Sequence, residues 1–370
     1  MIRLAVRNLF QNKVRLAISI GGVALALLLI LSLDAVFTGV ERQVTAYIEN
    51  SGADIWVSQA DVRNMHMASS SLPDSVVRKV KYVPGVASVT PIHYLTNNVV
   101  AGDERNLAYI IGLPENAELG RPWKISSGHS LPGKDEVIIN RNVADKSGIV
   151  MGGKVKILGK EFKVTGFSEG TASLVNSIAF ISMKDFEEMR GSYDTISFLL
   201  VKVDDGESPE VVAARIQTQV KDVTVQTRSE FAAQERQVVK DMSTDVITIM
   251  NLIGFLIGLA VMALTVYTST LSRRREYGML KALGARNNDL YFTVLAQAIL
   301  SVILGFLFGL ILTLVLTVVI PRLGSNLTLE VSSISLIKVG SVSLVIAAIS
   351  AMIPIRQIAG LDPVIVFRGR

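Results

Sequence analysis

The chain has no cysteine, three histidines, and a low share of charge: 19% of its 370 residues are Asp, Glu, Lys or Arg. Without cysteine no disulfide can staple the fold, so any domain outside a membrane must stand on its own apolar core. His66, His93 and His129 lie in unrelated segments with no His or carboxylate at ligand spacing, which argues against a metal centre. No serine sits in a nucleophile elbow, so an enzymatic site has no positive support. The lack of charge is concentrated. Four stretches, Leu16–Leu33, Val246–Ser272, Leu290–Ile320 and Val339–Ile355, contain no charged residue at all.

At about 1.5 Å rise per residue, roughly 20 apolar residues cross the ~30 Å hydrocarbon core as a helix. Each stretch is long enough or nearly so. The fold class expected is an α-helical membrane protein with four transmembrane helices plus an α+β extracytoplasmic domain on a helical stalk. The basic residues cluster in short flanks: Arg3, Arg7, Lys13 and Arg15; Arg273, Arg274, Arg275, Lys281 and Arg286; Arg356, Arg368 and Arg370. The short loop 321–338 offers only Arg322 and, at its edge, Lys338. Lys and Arg in short loops stay cytoplasmic, whereas long domains translocate regardless of charge. Both termini and the 273–289 loop are therefore expected inside the cell membrane and the large domain outside. The first run is long for a signal sequence and lacks an Ala-x-Ala exit, so cleavage is not expected.

The resulting division is a cytoplasmic amphipathic helix at 1–15, spans at 16–36, 244–272, 290–320 and 339–355, and an outer domain at 37–243. A cytoplasmic loop at 273–289, a short external loop at 321–338 and a tail at 356–370 complete it. Ile2, Val6, Leu9 and Phe10 share one face of the first segment, which suits a helix lying in the interface; simple basic flanking is the alternative. Asp34–Glu49 continues the first span at helical spacing, and Thr227-Arg-Ser-Glu230 is a capping-box pattern opening a helix that runs into the second. These two would form the stalk.

Between them the pattern alternates. Ile55 and Val57 read as a strand, and Pro73 as the first turn of a helix ending before Pro84-Gly85. Val86–Val100 and Asn106–Leu113 read as a hairpin, Glu136–Asn140 as a strand, and Val155–Leu158 with Glu161–Phe167 as a hairpin about Gly159-Lys160. Ile196–Val203 is the most strand-like run, and Ser208–Val220 is helical. The outer domain is thus α+β, in two lobes.

Two segments imitate a phosphate loop: Gly128-His-Ser-Leu-Pro-Gly133-Lys134-Asp135 and Gly148-Ile-Val-Met-Gly-Gly153-Lys154-Val155. Each lacks the hydroxyl that holds magnesium after the lysine, and neither follows a strand and opens a helix. No nucleotide-hydrolysing machinery is expected. Gly254 with Gly258, and Gly305 with Gly309, put small residues on one face of spans 2 and 3, allowing close helix packing within the subunit or across a dimer. No charged residue lies deep in spans 2, 3 or 4, which disfavours an ion-coupled carrier.

The strongest signal is the inner loop. Arg273, Arg274 and Arg275 anchor span 2 at the interface, and Glu276, Tyr277, Gly278, Met279, Leu280, Lys281, Ala282 and Leu283 form a short helix stopped by Gly284. Tyr277, Leu280 and Lys281 are expected on one projecting face. The run Arg275-Glu-Tyr-Gly-Met-Leu-Lys-Ala-Leu-Gly-Ala285 closely resembles the inner-loop motif of the MacB/FtsX-like permease family of ATP-binding-cassette systems. Leu4–Lys13 is similar to that family's first segment, Pro354–Arg368 to its tail, and, more loosely, Asp135–Phe167 to its outer domain.

That resemblance implies that Glu276–Gly284 couples to a separate ABC ATPase subunit. Two permeases, forming a homodimer, would pair with two ATPases that hold the ATP and magnesium; this chain binds no cofactor itself. It implies an export or mechanotransmission role on a hydrophobic or envelope-associated cargo, with a periplasmic adaptor or envelope partner, membrane lipid around the spans, and no nucleic acid. The alternative is a signalling or scaffold permease that activates an extracytoplasmic cell-wall hydrolase and transports nothing.

Overall fold

The computed structural model describes residues 13–102, 104–173, 176–323 and 327–360. The expected helix at 1–15, apart from its last residues, and the tail beyond 360 lie outside the described residues. In chain order come α1 (Lys13–Asn50), β1 (Ile55–Gln59), β2 (Leu72–Pro73), α2 (Ser75–Lys81), β3 (Val86–Ala101), β4 (Glu104–Leu113) and β5 (Ile125–Gly128). Next are β6 (Glu136–Asn140), α3 (Arg141–Lys146), β7 (Lys154–Ile157), β8 (Lys160–Ser168), β9 (Ser177–Ser182), α4 (Met183–Arg190) and β10 (Thr195–Ile196). The chain closes with β11 (Phe198–Val203), α5 (Pro209–Gln219), β12 (Val223–Thr227), α6 (Arg228–Ser272), α7 (Arg274–Ala282), α8 (Asn287–Arg322) and α9 (Ser333–Ala359).

Two compact units share these elements, one holding residues 40–242 and the other the apolar helices on either side of it. In the α/β unit, β3 is 16 residues long and does two jobs. Its Val86–Ile92 half pairs with β11, which continues through β1 to the edge strand β12, all antiparallel. Its His93–Ala101 half pairs with β4, and β4–β9–β6–β8–β7 returns to β3, closing a ring of strands. Val99, Ile110, Val137, Ile139, Val155, Phe162, Val164 and Ile181 are buried among this ring's core residues. The other lobe packs Val76 and Val80 of α2 and Val212 and Ile216 of α5 on Ile55, Val57, Leu199 and Val201. The edge strand β12 is covered by Gln217, whose side chain donates to the Val223 carbonyl (2.8 Å) and accepts from the Val225 amide (2.9 Å). That leaves less of the edge open to another strand.

A third core roots the helices in the sheet. Phe231 of α6 stacks on Trp56 with centroids 4.8 Å apart, and the Tyr47 hydroxyl of α1 donates to the Gly120 carbonyl at 2.9 Å. α6 opens with the capping box: Thr227 and Glu230 exchange side-chain bonds with each other's backbone amides, at 2.9 and 3.3 Å. The helices are then clipped together by Arg236–Glu49 at 3.0 Å and Lys240–Glu41 at 4.0 Å.

Several local expectations are corrected. β1 does not alternate between core and solvent; Ile55 to Ser58 are all buried because both sheet faces are covered. Pro73 is in β2, paired with Thr195, and the helix starts after Asp74. The run Ile196–Val203 breaks at Ser197: β10 turns away to pair with β2, while the Ser197 hydroxyl accepts the Tyr94 amide at 2.9 Å. The tight hairpin turns on Leu158-Gly159, with Ile157 opposite Lys160 and both turn residues at positive φ, +50° and +84°. Positive φ at both positions is the geometry that matches strand twist.

In the membrane unit, α1, α6, α8 and α9 each carry a window long and apolar enough to span a bilayer. Val23, Leu27 and Leu31 of α1, Met262 and Val266 of α6, Val294, Ala298 and Val302 of α8, and Val339, Ile346 and Ala351 of α9 share one buried core. α8 runs through Pro321 to Arg322 and α9 begins at Ser333, capped by Ser332, so the connection is shorter than the expected 321–338 loop. Charge-free runs locate apolar surface, not helix ends. Residues at the end of this connection and in α9 meet α1: the Glu330 amide donates to the Ala35 carbonyl at 2.9 Å, and Lys338 of α9 pairs with Asp34 at 3.1 Å.

Candidate functional site

α7 follows α6 after a one-residue break at Arg273. Arg273 is buried, its amide bonded to the Thr270 carbonyl at 3.1 Å, and its guanidinium lies 3.5 Å from the Glu276 carboxylate. The helix ends on Gly284 at φ +95°, with the Ala285 amide donating to the Leu280 carbonyl (3.0 Å) and the Gly284 amide to that of Lys281 (3.1 Å). This is the glycine-terminated Schellman closure, which leaves the chain free to turn directly into α8. The Arg286 amide donates to Asp289 at 3.2 Å at the start of that helix.

The faces of α7 are the reverse of the expected ones. Tyr277, 1% exposed, and Gly278 are buried, and Leu280 packs against the bundle core; the Lys281 ammonium donates to the Ala359 carbonyl of α9 at 3.0 Å. Arg274, Arg275, Glu276, Met279, Ala282, Leu283 and Gly284 are exposed, Leu283 at 85%. The i, i+3, i+4 spacing put Tyr277, Leu280 and Lys281 on one face correctly. It could not tell which way that face points. The tyrosine ring is the largest apolar surface on the helix, and the bundle takes it.

The paired glycines all meet neighbours within the chain. A Cβ on Gly254 would lie 2.6 Å from Ile30, and one on Gly258 would lie 3.2 Å from Ile346. One on Gly305 would lie 2.6 Å from Val23, and one on Gly309 3.0 Å from the Ala24 carbonyl oxygen. α6 and α8 approach α1 closely because these side chains are absent. Inside the bundle the Gln297 amide donates to the Ser269 hydroxyl at 2.7 Å, satisfying a buried polar pair.

In the α/β unit two of the histidines are packed against neighbouring side chains. His66 contacts the buried carboxylate of Glu235, and His93 stacks on Phe186 at 4.6 Å. Burial pulls the pKa of His66 down to about 4, and burial followed by Arg190 does the same to His93. Among the described residues no three His, Asp or Glu side chains cluster to hold a metal. The lysines of both imitation phosphate loops are engaged by carboxylates, Lys134 by Glu188 at 3.4 Å and Lys154 by Glu161 at 3.0 Å. Lys160 lies 2.8 Å from Asp135, 2.5 Å from the fully buried Asp185 and 3.1 Å from Glu188. Burial lowers its pKa, but these three carboxylates outweigh that and hold it above the ordinary lysine range.

Comparison with known proteins brings in two family descriptions. Residues 16–219 match the MacB-like periplasmic core domain, and residues 248–363 match the FtsX-like permease C-terminal region. An uncharacterized ABC transporter permease of Mycobacterium tuberculosis is 22% identical over 371 residues, covering 100% of both chains. Another, of Methanocaldococcus jannaschii, is 25% identical over 314 residues, covering 78% of this chain and 76% of that one. Among solved structures, the periplasmic region of MacB from Actinobacillus actinomycetemcomitans aligns at TM-score 0.39 and 14% identity, over 50% of this chain and 94% of that one. The extracellular domain of the noncanonic ABC-type transporter YknZ from Gram-positive bacteria aligns at 0.37 and 14%, over 47% and 98%.

Proposed function

The chain belongs to the MacB/FtsX-like family of ABC transporter permeases, and from that membership we propose that α7 is the helix through which a separate ATPase subunit drives it. Two ATPases, carrying ATP and magnesium, act on two copies of this permease from the cytoplasmic side. The α/β unit stands outside, and α1 and α6, each helical without a break, carry the movement to it. The cargo is hydrophobic or envelope-associated, moved or handed on by the outer units.

The observation that carries this reading is the division of α7. Tyr277 and Leu280 are held in the bundle, while Met279 and Leu283 stand exposed beside Arg274 and Arg275. An exposed leucine next to a charged rim is what a partner groove would cover, and burying it stabilises a complex by roughly 1.5–3 kcal/mol. Leu283→Asp should therefore cut recovery of a co-expressed ATPase at least about tenfold, with the permease's own melting unchanged. Undiminished recovery and undiminished ATPase stimulation in that variant would refute the assignment.

A further inference from the structure

A small cavity of about 260 Å³ lies where α6 ends and α9 ends, lined by Tyr267, Thr270, Leu271, Arg274, Gln357 and Ile358. Four of these six side chains can donate hydrogen bonds: a guanidinium, two hydroxyls and an amide. Among the described residues none of the four has a side-chain hydrogen bond or ion pair, and no carboxylate lines the cavity. The contrast with neighbouring cations is direct. Arg273 faces Glu276, and Lys281 donates to the Ala359 carbonyl. Arg275 and Arg356 are also exposed without a described partner, but they do not line the cavity.

We infer that this cavity binds the phosphodiester headgroup of an anionic phospholipid, with Arg274 as its charged ligand. The chemistry required is an anion with several acceptor oxygens, which matches four unspent donor side chains, one of them a fixed positive charge. A lipid, rather than free phosphate, suits the surroundings. Leu271 and Ile358 form apolar walls, and Leu264, Met352 and Ile353 are exposed on the same two helices, where acyl chains can lie. The volume falls below the ~300–1,000 Å³ of pockets that enclose a whole ligand, which fits a headgroup whose tails remain in the bilayer. Basic pockets between helix ends are a recurrent form of headgroup recognition.

The consequence concerns regulation. Arg274 is the first residue of α7, so an occupied cavity pins that end of the helix to α9. Which leaflet supplies the lipid rests on the orientation proposed above; binding itself does not.

The test uses the purified full-length permease in detergent, with phosphatidylglycerol or phosphatidylcholine added and bound lipid counted by native mass spectrometry. Phosphatidylglycerol should be retained in roughly tenfold preference, and Arg274→Gln should abolish that preference. Arg275→Gln and Arg356→Gln should keep it. Equal losses in all three variants mean diffuse attraction to basic residues and overturn the site, as does an unchanged preference in Arg274→Gln. Displacement of the lipid by inorganic phosphate at comparable concentration overturns the lipid as ligand. No ATPase is needed, so failure here is separate from failure of Leu283→Asp.

Discussion

Replacing Tyr277 with alanine should loosen α7 from the bundle while leaving its outward residues unchanged. The ring is 1% exposed and shares a core with Ile358, Leu290 and Val294. Removing a buried aromatic ring costs about 3–5 kcal/mol in a packed core. Part of that cost is solvent transfer, which is smaller where the surroundings are lipid rather than water; the lower end, about 3 kcal/mol, is the working value. That raises the undocked population of α7 by about a hundredfold. The hydroxyl is buried with no hydrogen-bond partner among the described residues, so Tyr277→Phe should be neutral or mildly stabilising. Hydrogen exchange of the α7 amides in nanodiscs, read beside ATPase stimulation, separates the cases. Tyr277→Ala should exchange fast and transmit poorly yet still bind the ATPase; Tyr277→Phe should match the parent in all three. The reasoning fails if Phe is as damaging as Ala, or if Ala loses the ATPase while its exchange stays slow, since either would put Tyr277 in the partner interface.

Three further outcomes follow from the α/β unit, all read by unfolding of the full-length protein. Lys160→Met leaves Asp185 buried without its counter-charge, and with Lys160 about a quarter exposed the cost should sit near 3 kcal/mol. Adding Asp185→Asn should recover part of it, and no recovery would sink the pairing argument. Leu158 occupies a left-handed position in a two-residue turn and is 44% exposed, so Leu158→Asn should stabilise by about 1 kcal/mol; a lower midpoint would contradict this. His93 has its pKa pulled to about 4 by burial and Arg190, whereas an unfolded histidine titrates near 6.5. The unfolded state takes up the proton first, so stability present above pH ~6.5 is lost as pH falls toward ~4, by about 2 kcal/mol at pH 5. His93→Phe, which can keep the stack on Phe186, should flatten that loss; identical acid slopes would exclude His93 as its source.

What was legible from residue order was whatever depends on near neighbours. The capping box at Thr227–Glu230, the strand Glu136–Asn140 and the hairpin joining β3 to β4 all follow local rules of spacing and turn chemistry. The short helix expected over 276–283, which spans 274–282 in the structure, and its glycine stop were legible for the same reason. Where two distant segments compete for one strand, local rules fail. Ser197 breaks the Ile196–Val203 run because β2, far away in sequence, pairs with one part of it and β3 with the rest. Pro73 reads as a helix start until Thr195 lies opposite it.

The sequence by itself determined four spans, an α+β insertion and the kinship with ABC permeases, because apolar length and a short contiguous motif need no partner to be recognised. Only the tertiary structure decided that Tyr277 faces inward and Leu283 outward, that β3 belongs to two lobes, and that Arg274 faces an open cavity while Arg273 is buried. Helical periodicity defines faces only up to a rotation. The direction each face takes depends on which surfaces the other helices leave uncovered.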